Sequence, residues 1–426
     1  MRQVAVTGVG LVTSLGVGTS ETWDALVAGR SGVGPIEDYD ASSLRTQLAA
    51  EISDLDPTQF AARKALRSMT RNDQLAVSGA ALAVQDAGVE ASQNGADPRA
   101  GLFIGSNKEV SNLPPILDGA LYARTEDGTI DLSRLGEQAT SAFPPLYYVE
   151  GLQAAALFYI SQAHGLMGAN TYFAGTADAS AAAVGAAFRS IRRGEIDLAI
   201  AGGYDDATSW WNMTKFDTMG ILTDRNDLGA RACRPFDVER SGTVLGEGAA
   251  FLVLEERDRA VARGADVYAE ISGFASAYDA YGLITPEPEG RALEAAIAGA
   301  LKDSGAAPDE IDYVVTHGSG TKAGDASEAK ALRRAFGSAT SVAAASVKPA
   351  SGHLVGGAGA LNAAVAVLAV HKNVLPPTLN LDTPDPACAG IDWITGEARP
   401  AAPRRALALA RGLEGQNVAV VVSAHA

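Results

Sequence analysis

The sequence predicts an α/β protein, a five-layer α-β-α-β-α sandwich built from two duplicated βαβαβ halves. Similar phrases recur in the same order in both halves, and helix-period segments alternate with short apolar runs. Each half also holds one helix that is apolar on every side. Alternation of this kind implies largely parallel sheet with helical cover. A helix apolar all round is buried all round, and Ala and Gly let neighbouring layers approach closely.

The elements can be justified in order. The opening MRQVAVTGVG reads as a strand. A helix ending Gln85-Asp86-Ala87-Gly88 precedes the strand Gly101-Leu102-Phe103-Ile104-Gly105. Thr171-Tyr172-Phe173-Ala174 is β-branched and aromatic enough for a strand. It leads into the first small-residue helix, Ala179 to Ile191, and GEGAAFLVLE closes the half. In the second half Leu293, Ile297 and Leu301 recur every fourth residue, the stripe of an amphipathic helix. Lys302-Asp303-Ser304-Gly305 ends it, and the strand Tyr313-Val314-Val315-Thr316 follows. The second small-residue helix runs from Leu354 to Val370, and GLEGQNVAVVVS closes the chain. The expected halves are 1–255 and 256–426, joined through the charged stretch Glu255 to Asp266. Residues 106–151 fit neither half and show little periodicity, so they read as an insertion lining a site or an interface.

Composition narrows the function. The chain has 426 residues, enough to bury a large core, and a net charge of −16. That charge argues against a nucleic-acid partner, which needs a basic face. Only Cys233 and Cys388 occur, so neither a disulfide framework nor a cysteine-rich metal site is expected. The histidines lack zinc spacing. GVGLVTSLG lacks the spacing of a dinucleotide-binding loop. No signal-peptide core is expected at the N-terminus, and no run reaching the roughly 18 apolar residues of a membrane span. A cytoplasmic protein without a membrane partner is the expectation.

Several long phrases carry a resemblance. VAVTGVGLVTSLG at the start, RPFDVERSGTVLGEGAA at 234–250, THGSGTKAGDASEA at 316–329, SVKPASGHLVGGAGA at 346–360 and VLPPTLNLDTPDP at 374–386 resemble the β-ketoacyl synthases. These belong to the thiolase superfamily, in the branch that extends chains on acyl carrier protein. The resemblance runs nearly end to end and implies a thiolase-like fold. It implies no resident cofactor, the substrate being held on the 4′-phosphopantetheine of acyl carrier protein.

In the condensing members a cysteine stands at the N-terminus of the first buried helix, where the helix dipole and backbone amides activate it. Anchored on Gly185, Arg189 and Gly194, that position falls on Ala177, within Thr176-Ala177-Asp178-Ala179-Ser180. A methyl group cannot form an acyl-enzyme. The other site positions are present: His317, Lys348 and His353, with Glu328 as the support of Lys348 and Ser319 and Thr321 as pantetheine contacts. The C-terminal gate, which in active synthases is Gly-Phe-Gly-Gly, reads Ala410-Arg411-Gly412-Leu413-Glu414-Gly415, so Leu413 and Glu414 replace the phenylalanine.

The resemblance is closest to the chain-length factor, the cysteine-less subunit of type II polyketide synthases. It implies a heterodimer with a cysteine-bearing ketosynthase, paired through the strand at Thr171–Ala174, with acyl carrier protein docking mainly on the partner. Tyr147, Tyr148 and Leu152 are then candidates for residues that set the end of the partner's acyl tunnel, with Ala155 one turn on. On this reading the histidines and Lys348 are vestigial and the chain alone does not condense. Three alternatives remain open: a decarboxylase acting on malonyl-carrier protein, an active synthase whose cysteine has been replaced at Ala177, and a purely structural partner that keeps a labile synthase soluble.

Overall fold

The computed structural model describes residues 1–89, 96–107, 113–143, 145–150, 152–337 and 342–425, without the side chains of 138–140, 148 and 150. The first half supplies strand β1 (Val4–Thr13), helix α1 (Arg71–Asp86), strands β2 (Ala100–Ser106) and β3 (Asn170–Ala174), helix α2 (Ala177–Arg192), and strands β4 (Leu198–Asp205) and β5 (Gly248–Glu256). The second supplies β6 (Ala269–Tyr278), α3 (Arg291–Ser304), β7 (Tyr313–Val315), α4 (Lys322–Phe336), β8 (Ala343–Ala345), α5 (Ala358–Lys372), β9 (Arg405–Arg411) and β10 (Gln416–Ser423).

The strand order makes the duplication visible. The first sheet runs β3-β2-β4-β5-β1 and the second β8-β7-β9-β10-β6, with Asp392–Trp393 added outside β8. Numbered within its own half, each sheet is 3-2-4-5-1. In both, strand 2 is parallel to 3 and 4, while 4–5 and 5–1 are antiparallel. The two sheets meet edge to edge where Val4, Ala5 and Val6 of β1 pair with Ile271, Glu270 and Ala269 of β6.

Helices α2 and α5 lie between the sheets, each touching strands of both, while α1 covers the outer face of the first sheet and α3 that of the second. Side-chain size follows from this. Along β4 the alanines Ala199 and Ala201 face the middle layer and Leu198 and Ile200 face outward. Along β9, Ala406, Ala408 and Ala410 face inward, and Leu407 and Leu409 outward. Alternation of period two thus places small residues against the central helices and large ones against the outer layers. The clearance is minimal: a Cβ on Gly359 of α5 would sit 2.2 Å from the Ala177 carbonyl oxygen of α2.

Two expectations are corrected. Residues 355–372 are long and apolar enough to cross a membrane, with mean hydropathy 1.3, although no such run was expected; 89% of that stretch is buried in the middle layer. The insertion is also more regular than its lack of periodicity suggested, containing helices Pro114–Ala123 and Leu132–Ala142. Pro114 and Pro115 start the first of these, because proline is tolerated in a helix's first turn.

Candidate functional site

The expected site residues reach one cavity from the N-terminus of α2, the loop after β7, the turn after β8 and the hairpin turn between β9 and β10. The cavity measures about 170 Å³. Thr176, His317, Ser319, Thr321, His353 and Leu413 line it, with Phe216, Ile221, Leu245 and Val355 as apolar wall.

The two imidazoles are placed by backbone. The His317 and His353 rings stand 5.4 Å apart at 76°. Arg411 donates its N–H to His317 Nδ1 at 3.3 Å, and Val355 donates its N–H to His353 Nδ1 at 2.9 Å. A nitrogen that accepts carries no proton, so both rings present Nε2–H as a donor. Val355 has φ 40°, an uncommon conformation for a β-branched residue. Its amide is the donor that sets the His353 tautomer. Burial, reinforced by the Lys348 charge, holds both imidazoles well below their ordinary value. The pair is therefore neutral and hydrogen-donating at pH 7. We expect the ring ¹⁵N spectra of both residues to show Nε2–H and no titration from pH 8 to 6. The unfolded chain takes up these protons near pH 6.5, so the stability tied to neutral rings is lost as pH falls below that value.

Lys348 and Glu328 are both buried, but they do not pair directly as the sequence suggested. The Lys348 ammonium donates to the His317 carbonyl. The Glu328 carboxylate accepts the amides of His317 and Gly318 at 2.7 and 2.8 Å. The two charges thus grip opposite sides of the His317 backbone. Burial pushes Lys348 down to about 8, opposed by Glu328. Ser319 and Thr321 are in place on the wall, their hydroxyls 2.9 Å apart. Thr321 is also engaged as the N-cap of α4, accepting from Gly324 N–H at 3.2 Å.

Ala177 is the first residue of α2, buried and without a reactive atom. The preceding Thr176 reaches the cavity and accepts the Leu413 N–H at 3.1 Å, which ties the hairpin turn to the helix start. Leu413 faces the cavity; Glu414 does not, and its carboxylate accepts from Gln416 Nε2 at 3.3 Å. Arg411 looks like a gate residue in sequence but is buried. It bonds Asn417 at 2.9 Å and lies 3.5 Å from the Asp279 carboxylate. Neither cysteine lines this cavity. Burial pushes both thiols up to about 12, Cys233 packing with Leu48 and Val244.

The tunnel candidates lie elsewhere. Tyr147 heads a short helix, Tyr147–Glu150, half-buried with its ring 5.2 Å from that of Phe143. Tyr148 belongs to the same helix, its side chain outside the described residues. Leu152 is exposed, and Ala155 begins helix Ala155–His164. Tyr147, Leu152 and Ala155 do not line the histidine cavity. Sequence reasoning missed Phe216, Ile221, Thr243, Leu245 and Ile284–Pro286, all on its wall. Thr243 and Leu245 had a usable signal, since they alternate within the quoted phrase TVLGEG. No group of three or more His, Cys, Asp or Glu suited to a metal occurs among the described residues.

Comparison with known proteins bears on this arrangement. Residues 1–260 match "Beta-ketoacyl synthase, N-terminal domain" and residues 268–382 match "Beta-ketoacyl synthase, C-terminal domain". The 3-oxoacyl-[acyl-carrier-protein] synthase 2 of Coxiella burnetii is 36% identical, covering 99% of this chain and 98% of its own. The oxytetracycline polyketide putative beta-ketoacyl synthase 1 of Streptomyces rimosus is also 36% identical, over 99% and 97%. The solved ishigamide ketosynthase/chain length factor superposes with TM-score 0.88 and 30% identity over the whole of both chains. A doubled 3-2-4-5-1 sheet, two histidines over the end of a buried helix and relatives matched from end to end agree: this chain belongs to the β-ketoacyl synthase family.

Proposed function

We propose that this chain is a chain-length factor: a subunit without the nucleophilic cysteine that pairs with an active ketosynthase and shapes the acyl tunnel. The observation that carries the reading is Ala177. It occupies the start of α2 where a nucleophile would gain from the helix dipole, and both thiols of the chain are buried elsewhere.

The surface supports pairing. Strand β3 is the edge of its sheet, hydrogen-bonded only to β2 among the described residues, with Asn170, Thr171 and Ala174 exposed. An unprotected edge is a template for another strand. Phe158 and Met167, which line one shallow pocket with Asn170 of this strand, are 61% and 66% exposed. Apolar side chains this open, grouped beside an unpaired edge, fit a large obligate interface. The substrate would be an acyl chain on the phosphopantetheine of acyl carrier protein, docked mainly on the partner.

Co-expression with a cysteine-bearing ketosynthase tests the pairing. Equal recovery of both chains is expected, and a lone homodimer that condenses malonyl units would overturn the reading. In the reconstituted pair, Tyr147→Ala is expected to lengthen the products by at least one two-carbon unit, read by mass spectrometry. Unchanged length removes Tyr147 from the tunnel.

A second reading rests on the histidines. Two neutral imidazoles offering Nε2–H to one cavity suit a thioester carbonyl as its malonyl carboxylate leaves as carbon dioxide. Release of carbon dioxide from malonyl-carrier protein by the isolated chain would favour this decarboxylase reading over the tunnel-shaping one.

A further inference from the structure

Thr243 carries a group that neither the fold nor the histidine site uses. Its backbone is satisfied on both sides: its N–H donates to the Ile221 carbonyl and its carbonyl accepts the Thr223 N–H, each at 2.9 Å. Its hydroxyl is buried and has no hydrogen-bond partner. Buried polar groups normally find one, so the exception needs an explanation.

The local geometry says where this hydroxyl belongs. His353 donates its N–H to the Val244 carbonyl at 2.8 Å, and Gly246 donates to the His353 carbonyl at 3.0 Å. Leu245 and His353 are bridge partners. Extended chain alternates faces. Val244 accordingly packs into the cluster with Cys233 and Leu48, while Thr243 and Leu245 line the cavity beside His353.

We propose that Thr243 is a specificity-determining residue of this cavity, hydrogen-bonding a neutral oxygen on the acyl chain of a pantetheine thioester. The ligand class is the 3-oxoacyl thioester, favoured over the saturated acyl thioester of equal length. A carboxylate is a poor match. Both imidazoles are neutral, Lys348 is spent on the His317 carbonyl, and Arg411 faces Asp279. Phe216, Ile221 and Leu245 form the surrounding wall, so a hydrocarbon chain bearing one polar substituent suits the site. The inference deepens the proposed function, since it requires an acyl arm to enter this subunit as well as its partner.

The test is a calorimetric titration of the full chain, in complex with its ketosynthase, using octanoyl-pantetheine and 3-oxooctanoyl-pantetheine. To keep the partner's site out of the readout, its cysteine is alkylated beforehand. One neutral hydrogen bond predicts that the 3-oxo probe binds roughly 3- to 10-fold more tightly. Thr243→Val, which keeps the shape and removes the hydroxyl, should abolish this preference, so that the two probes bind the variant equally. Thr243→Ser, which keeps the hydroxyl, should retain it and serves if the valine variant folds poorly. Equal binding of the two probes, no binding of either, or a preference that survives in Thr243→Val overturns the proposal. Failure of the two chains to co-purify instead overturns the subunit reading, and the titration is then run on the isolated chain.

Discussion

Ala177→Cys is expected to take up one acyl group per chain from an acyl-carrier thioester, while the parent chain takes up none. The surroundings of that position favour a thiolate. Helix α2 is 16 residues long and directs the positive end of its dipole at its first residue. A cysteine at such a helix start ionises in the range of roughly 3.5 to 7.5. The Asp178 carboxylate already takes the Thr176 N–H at 2.9 Å, so the new thiol should fall toward the upper part of that range. The two imidazole Nε2–H groups are available for the thioester oxygen. Intact-protein mass spectrometry reads the outcome as a shift from no adduct to a nearly stoichiometric one. Cys233 and Cys388, both buried, provide an internal control that stays unmodified in the native fold. A variant that folds and remains unacylated would mean that Ala177 does not mark the nucleophile's place, and the chain-length-factor reading would lose its main support.

What could be read from the sequence follows from how local each signal is. The two middle helices were legible because their burial is written on every side of the helix. Ala179 to Ile191 and Leu354 to Val370 were expected; Ala177–Arg192 and Ala358–Lys372 are found. His317, Lys348 and His353 were legible because each lies in a phrase whose backbone places it. The role of Arg411 was not, because its carboxylate partner Asp279 lies in the far part of the half and meets it only through the pairing of β6 with β10. The Lys348–Glu328 relation was misjudged for a similar reason. Opposite charges suggest a direct pair, whereas the loop interposes the His317 peptide between them. Helix Pro114–Ala123 escaped detection because it leaves Leu117 and Leu121 exposed, so its apolar residues do not mark a single buried stripe.

Glu328→Ala is expected to destabilise the fold by about 3–5 kcal/mol at pH 7, the cost of removing one partner from a buried charge arrangement. Glu328 is fully buried, and the variant leaves the His317 and Gly318 amides without acceptors. It also leaves the Lys348 ammonium without the carboxylate that opposes its desolvation. The second effect gives the prediction a pH signature. Lys348 already sits at about 8 in the folded chain against 10.5 for the free side chain. Its proton uptake therefore penalises folding below pH 8, and the penalty is relieved as pH rises toward the unfolded value. Without Glu328 the folded value drops further and the relief begins at lower pH. The destabilisation measured by urea unfolding should accordingly be smaller at pH 9 than at pH 7. Adding Lys348→Met to Glu328→Ala should recover part of the loss at pH 7, leaving the two unpaired amides as the remainder. A loss that is the same at both pH values, with no recovery in the double variant, would show that Lys348 and Glu328 act on His317 independently. The grip on that backbone would then be two separate hydrogen-bonding devices rather than one coupled pair.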